Sequence, residues 1–234
     1  MKIRATLTWL TLLALASPGW SRVHEYRTLE LADGTRLEYA LVLPADFDRH
    51  RQYPALLGLP PGAQDRAMVE AGLSRYWQDA AAARGWIIVS PVAPEGIAFH
   101  KGSESFIPPL LDAIEKRFHI VGDKLHLAGV SNGGLSAFRV ALEWPERFQS
   151  LTVLPGFPPT PRDETRLERL RGMPVHLFAG GDDKDWANAA RSTQEKLETL
   201  GIPVQVEVFP GEGHVPPSMT AHRFLDLLES LRAR

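Results

Sequence analysis

The sequence predicts an α/β fold, a three-layer sandwich with a mainly parallel sheet, on two observations. Six short, almost continuously apolar runs ("YPALLGLP", "GWIIVSPV", "DKLHLAGV", "SLTVLP", "MPVHLFAG" and "VQVEVFP") recur along the chain. Segments with helical periodicity separate them, and strands covered by helices on both faces read in this way. Repeated strand-helix alternation then gives the layered arrangement. At 234 residues the chain is long enough to bury such a sheet in one domain.

In chain order, the first element is a leader. "MKIRATLTWLTLLALASPGWS" places Lys2 and Arg4 before an apolar run and then Ala14-Leu15-Ala16, a small-residue cleavage signal. About twelve apolar residues fall short of the roughly 20 that span a bilayer, so 1–21 reads as a secretory signal peptide. A periplasmic or secreted mature domain over 22–234, with no stable membrane insertion once the signal is removed, is the expectation. Two alternating runs, 26–31 and 37–43, flank Asp33-Gly34 and predict an N-terminal antiparallel hairpin. Helices are expected over 68–84, 105–117, 132–143, 163–170, 188–200 and 222–233. The Pro-rich patch "GFPPTPRDET" is too short for a lid domain.

Composition excludes several classes. A formal net charge of −2 and the lack of a basic stripe leave no electrostatic footprint for nucleic acid. With no cysteine, there is no disulfide scaffold and no cysteine nucleophile.

Chemistry concentrates in "HLAGVSNGGL". The apolar strand ending at Val130 runs into Gly129-Val130-Ser131-Asn132-Gly133 and then into a helix. A strand-turn-helix G-x-S-x-G is the context of a nucleophile elbow, where the serine backbone is strained and its neighbours must be small. Ser131 is therefore the candidate nucleophile, and the Asn132 backbone N–H a candidate oxyanion donor at the helix start. A serine hydroxyl needs a base. His214, in "GEGHVPP" between the last strand and the last helix, is the candidate; His126 and His176 fall inside strands and read as packing residues. His100, in a loop after a strand, is a candidate substrate contact. The base needs a carboxylate to orient it, and "GGDDKDW" offers Asp182, Asp183 and Asp185. Asp183 is favoured, and the chain order Ser, Asp, His is that of the hydrolase triad.

On these segments the chain resembles an α/β-hydrolase of the compact, lidless, secreted esterase kind. Within that superfamily it is similar to feruloyl and acetylxylan esterases, to polyhydroxyalkanoate depolymerase-like proteins and to phospholipase/carboxylesterase-like proteins. The resemblance implies ester hydrolysis through an acyl-enzyme with no metal or organic cofactor, on a small-molecule or polymer-linked ester. One segment departs from the pattern. Where such enzymes carry His-Gly after the strand supplying the second oxyanion donor, this chain has Pro60-Pro61, which lack N–H groups. The first backbone donors in this loop are then Gly62 and Ala63, of which motif position favours Gly62, with Gln64 lining the same loop. Trp77, Phe99, Phe157 and Trp186 are candidates for an aromatic cleft wall. A serine peptidase on the same fold, or a non-catalytic binding protein with a degraded oxyanion loop, are the alternatives.

Overall fold

The computed structural model describes residues 24–31 and 33–232; the leader expected over 1–21 lies outside the described residues. In chain order the regular elements are β1 (His24–Glu30), β2 (Arg36–Val42), β3 (Gln52–Tyr53), β4 (Ala55–Leu59), α1 (Arg66–Gly72), α2 (Gln78–Arg84), β5 (Ile87–Pro91), α3 (Ile107–Arg117), β6 (His119–Ile120), β7 (Leu125–Val130), α4 (Asn132–Glu143), β8 (Phe148–Leu154), α5 (Pro161–Glu164), β9 (Val175–Gly180), α6 (Lys184–Thr199), β10 (Val204–Phe209) and α7 (Ala221–Arg232). An eight-stranded sheet has the order β1-β2-β5-β4-β7-β8-β9-β10, and β3 and β6 pair separately. The N-terminal hairpin pairs His24 with Val42 through Glu30 with Arg36, and β2 runs antiparallel to β5. From β5 to β10 every pairing is parallel.

The strands of the eight-stranded sheet divide their side chains between two apolar clusters. Leu57, Val89, Leu127, Val153 and Leu177 point to the side covered by α3, α4 and α6. Leu56, Ile88, Ala128, Leu154 and Phe178 point to the side covered by α1, α2 and α7. The two-residue period of a strand makes this division, and burial on both faces is why the runs are almost continuously apolar.

Three helical expectations need correction. The helix expected over 68–84 begins at Arg66 and is interrupted by a π turn, Leu73–Trp77. The wider turn rotates Leu73, Tyr76 and Trp77 inward together, and the Trp77 ring lies against Gly58, where an added Cβ would be 2.6 Å away. The helix expected over 163–170 is two short pieces, α5 and a 3-10 turn at Leu167–Leu170. Thr160 caps α5 and Pro161 opens it. The helix expected over 188–200 begins earlier, at Lys184, because Asp183 occupies the cap position and its carbonyl accepts from Ala187 at 2.9 Å.

The winding of the sheet locates the site. After β4 the chain moves to β5 on one side, then crosses back to β7 and proceeds to β10 on the other. A crevice opens at such a switch point, beyond the carboxyl ends of β4 and β7. Loop 60–64 and Ser131 follow those two strands directly.

Candidate active site

Ser131 stands between β7 and α4 with φ 55° and ψ −120°. A positive φ is costly for a residue with a Cβ, and the surroundings leave no alternative. A Cβ at Gly129 would lie 2.0 Å from the Gly133 carbonyl, and one at Gly133 would lie 2.1 Å from the Leu59 carbonyl. The glycines therefore let helix, strand and loop meet at backbone contact. The Ser131 N–H donates to Leu154 O at 3.2 Å, and its carbonyl accepts from Gly134 N at 2.7 Å. A serine at a helix start ordinarily caps the helix with its hydroxyl; here it makes no cap bond. The hydroxyl lies 2.7 Å from His214 Nε2 instead.

His214 and Asp183 arrive on two loops fastened to each other. Gly181 N–H donates to Phe209 O at 2.7 Å, and Asp182 N–H donates to Glu212 O at 2.9 Å. Gly180 packs so closely on the Gly213 carbonyl that a Cβ would be 1.9 Å away. These contacts extend the β9–β10 pairing past the sheet. His214 Nδ1 lies 2.5 Å from Asp183 Oδ2. With Nδ1–H donating to the carboxylate, Nε2 is free to accept from the Ser131 hydroxyl. Asp182 and Asp185 are exposed, and Asp185 lies in the first turn of α6. Of the three aspartates, Asp183 is the one the structure brings to His214. Trp186, in the first turn of α6, meets the His214 ring edge-on at 4.8 Å between centroids and Phe157 at 5.0 Å.

The loop after β4 faces this arrangement. Gly62 has φ 58°, and its carbonyl accepts from Asn132 Nδ2 at 2.9 Å, so the loop and the start of α4 are joined at the two residues read as oxyanion donors. Asn132 is the first residue of α4, where a backbone N–H has no acceptor within the helix. Gln64 does not line the cleft: it is fully buried, with φ 58°. Its Nε2 donates to Pro60 O at 3.1 Å, and its Oε1 accepts from Phe99 N at 2.9 Å and from Ser136 Oγ at 3.1 Å. It braces the loop from behind.

Of the aromatic residues proposed as a cleft wall, Trp77 and Phe99 are core residues, each 0% exposed. Phe157 and Trp186 are part-exposed; Trp186 lies beside His214, and Phe157 packs on Trp186. Phe157 also lines a groove of about 240 Å³ between the Pro-rich loop and α6. A larger cavity, about 500 Å³, lies between β10 and α7 around Phe178 and Met219 and holds none of the candidate residues. His126 and His176 are buried, as their strand positions implied. His100 is part-exposed, with Nδ1 3.0 Å from Ser136 Oγ.

Ser136 is the residue that sequence reasoning passed over. It follows Asn132 by four positions and so shares its face of α4; a hydroxyl at that spacing within a small, apolar helix face was the available signal. Among the described residues, no group of three or more His, Asp or Glu could hold a metal ion, and no helix is long and apolar enough to cross a membrane.

Comparison with known proteins places the chain in a family. The family model described as "Putative esterase" matches residues 32–215. Among curated proteins, dipeptidyl-peptidase 5 of Porphyromonas gingivalis is 26% identical over 241 residues. That match takes in 81% of this chain and 34% of the peptidase, so the chain spans about one third of the relative's length. Among solved structures, a thermostable esterase superposes with a TM-score of 0.73 at 17% identity, covering 89% of this chain and 62% of its own. A ferulic acid esterase superposes with a TM-score of 0.64 at 18% identity, covering 90% of this chain and 96% of its own. At these identities the structural likeness is one of fold.

Proposed function

The chain belongs to the esterase family of α/β-hydrolases whose model it matches, and from that premise we propose that it is a serine esterase working through Ser131, His214 and Asp183. One observation carries the reading. A serine at a strained turn leaves its helix uncapped and reaches His214 Nε2 at 2.7 Å, while Nδ1 of the same ring reaches Asp183 at 2.5 Å.

The chemistry is a two-step acyl transfer. His214 Nε2 takes the Ser131 proton as Oγ bonds to the ester carbonyl carbon. The carbonyl electron pair moves onto oxygen, where the N–H groups of Asn132 and Gly62 receive it. Asp183 keeps the proton on Nδ1 and stabilises the imidazolium. The tetrahedral species collapses, the C–O bond to the alcohol breaks, and His214 Nε2–H protonates the departing oxygen. Water then repeats the sequence on the acyl-enzyme, releasing the acid and restoring Ser131. Every proton is returned, and each step uses side chains or backbone groups of this chain.

Short connections support an open cleft. Between β8 and β9 the chain makes only α5, a 3-10 turn and the Pro-rich loop. Such a cleft suits short acyl groups, or acyl groups displayed on a larger molecule. The leader supports an exported protein acting on esters outside the cytoplasm. A peptidase is the second reading, favoured by the 26% identity to dipeptidyl-peptidase 5.

The test sets p-nitrophenyl acetate and longer acyl esters beside dipeptidyl p-nitroanilides, with fluorophosphonate labelling followed by peptide mapping. The esterase reading expects the label on Ser131 and ester cleavage that vanishes in Ser131→Ala. Faster cleavage of the anilides selects the peptidase. Wild-type turnover no greater than that of Ser131→Ala leaves only a binding role.

A further inference from the structure

The buried hydrogen bonds around Gln64 fix the proton positions on a residue that the mechanism does not use. Gln64 Nε2–H donates to the Pro60 carbonyl and Oε1 accepts the Phe99 N–H, so the orientation of the amide is determined. Ser136 Oγ lies 3.1 Å from that Oε1. An amide oxygen only accepts, so the single Ser136 proton points at Gln64. The reverse assignment would set two lone-pair oxygens against each other with no proton between them. Toward His100, 3.0 Å away, Ser136 Oγ can therefore only accept. Nδ1 of His100 carries the proton, and Nε2 of the neutral ring carries a bare lone pair.

Gln64 and Ser136 are each fully buried, so water does not compete for these bonds. His100 is different: the residue is part-exposed, and its hydrogen bond to Ser136 engages Nδ1, leaving Nε2 without a partner among the described residues. Burial, then the charges of Lys101 and Arg139, hold the His100 pKa below its ordinary value against the opposing pull of Glu104 and Asp163. The ring is neutral near pH 7.

Placement gives this acceptor a direction. His100 lies in the loop leaving the carboxyl end of β5, and Ser136 lies one turn, about 6 Å, along α4 from Asn132. In the sheet, β5 and β10 lie on opposite sides of β7, beyond β4 and β8. His214, beyond β10, must face the departing alcohol to protonate it. The acyl part then extends toward β5 and His100.

We propose that His100 is a specificity-determining residue, whose Nε2 accepts a hydrogen bond from a hydroxyl on the acyl part of the substrate, and that Gln64 and Ser136 hold the ring in the tautomer this requires. The inference rests on the esterase reading above. It predicts preference for esters of hydroxy acids over their deoxy analogues.

Two measurements test it on the full mature chain. Long-range proton–nitrogen NMR correlation, with His100 assigned by its loss in His100→Phe, is expected to find the proton on Nδ1 near pH 7; a proton on Nε2 overturns the proposal. Kinetics then use p-nitrophenyl esters with a hydroxyl at C2 or C3 of the acyl chain, each beside its deoxy analogue. The ratio of kcat/KM between the members of a pair should fall about threefold to tenfold in His100→Phe. It should fall less in His100→Gln, whose amide keeps both a donor and an acceptor. A ratio unchanged in His100→Phe, or a preference that follows hydroxyls on the alcohol instead, overturns the proposal and leaves the esterase reading intact. No cleavage of any ester overturns both.

Discussion

Ser131 gives up local stability for position. Its φ of 55° costs on the order of 1–3 kcal/mol in a residue with a side chain, and its hydroxyl forgoes the cap bond that would offset some of this. Ser131→Gly should therefore raise the unfolding free energy by about 1 kcal/mol, after the extra chain entropy of glycine is subtracted, while removing all turnover. Urea melts with an unchanged slope would register the gain; an equal or lower midpoint would place the strain elsewhere. The aspartates make a second comparison. Asp183→Asn keeps the shape but can donate to Nδ1 and stabilise the wrong tautomer, so kcat should fall on the order of 10³-fold or more. Asp182→Asn and Asp185→Asn, both exposed, should stay within about twofold. A large loss at either would reassign the acid. The juxtaposition of Ser131, Asp183 and His214 was legible because residue type, loop position and chain order all point to it. The orientation of Gln64 was not, since its amide answers to Pro60, Phe99 and Ser136, residues up to 72 positions away.

Between elements, glycines set the distances. Gly133 brings α4 against the end of β4 so tightly that a Cβ would lie 2.1 Å from Leu59 O and 2.5 Å from Pro60 O. Those are backbone atoms, which cannot swing aside. Gly133→Ala should destabilise by about 2–3 kcal/mol and should also depress kcat, because the displaced segment leads directly into Gly62. Denaturant midpoints and kcat measured on the same samples would check both; a stable variant with normal kcat would show that the loop can shift freely. Strands were readable at this scale because burial on both faces leaves an apolar run. Helix starts were less so. Asp183 occupies a cap position but gives its carboxylate to His214, and the π turn at Leu73–Trp77 depends on Trp77 meeting Gly58 across the chain. Neither signal is local.

In the whole molecule, the described residues share one eight-stranded sheet with an apolar cluster on each face. Both clusters draw on the same strands, so neither face can come apart without exposing the other side of those strands to water. Denaturant unfolding followed by tryptophan fluorescence and by far-UV circular dichroism should accordingly give coincident transitions. Separated curves would reveal two units within the chain.

The fastening of the Asp183 and His214 loops carries a further consequence. Both loops continue β9 and β10, and β10 is the last strand of the sheet, with a single neighbour. Ser131 leaves β7, which has a strand on either side. Edge elements open at lower free energy than central ones, so partial fraying of β10 would carry His214 away while Ser131 stays in register. On a heating ramp, hydrolytic activity should be lost several degrees before the sheet melts, and should return on cooling from that interval. The warm protein would be folded, with Ser131 in place and His214 no longer beside it.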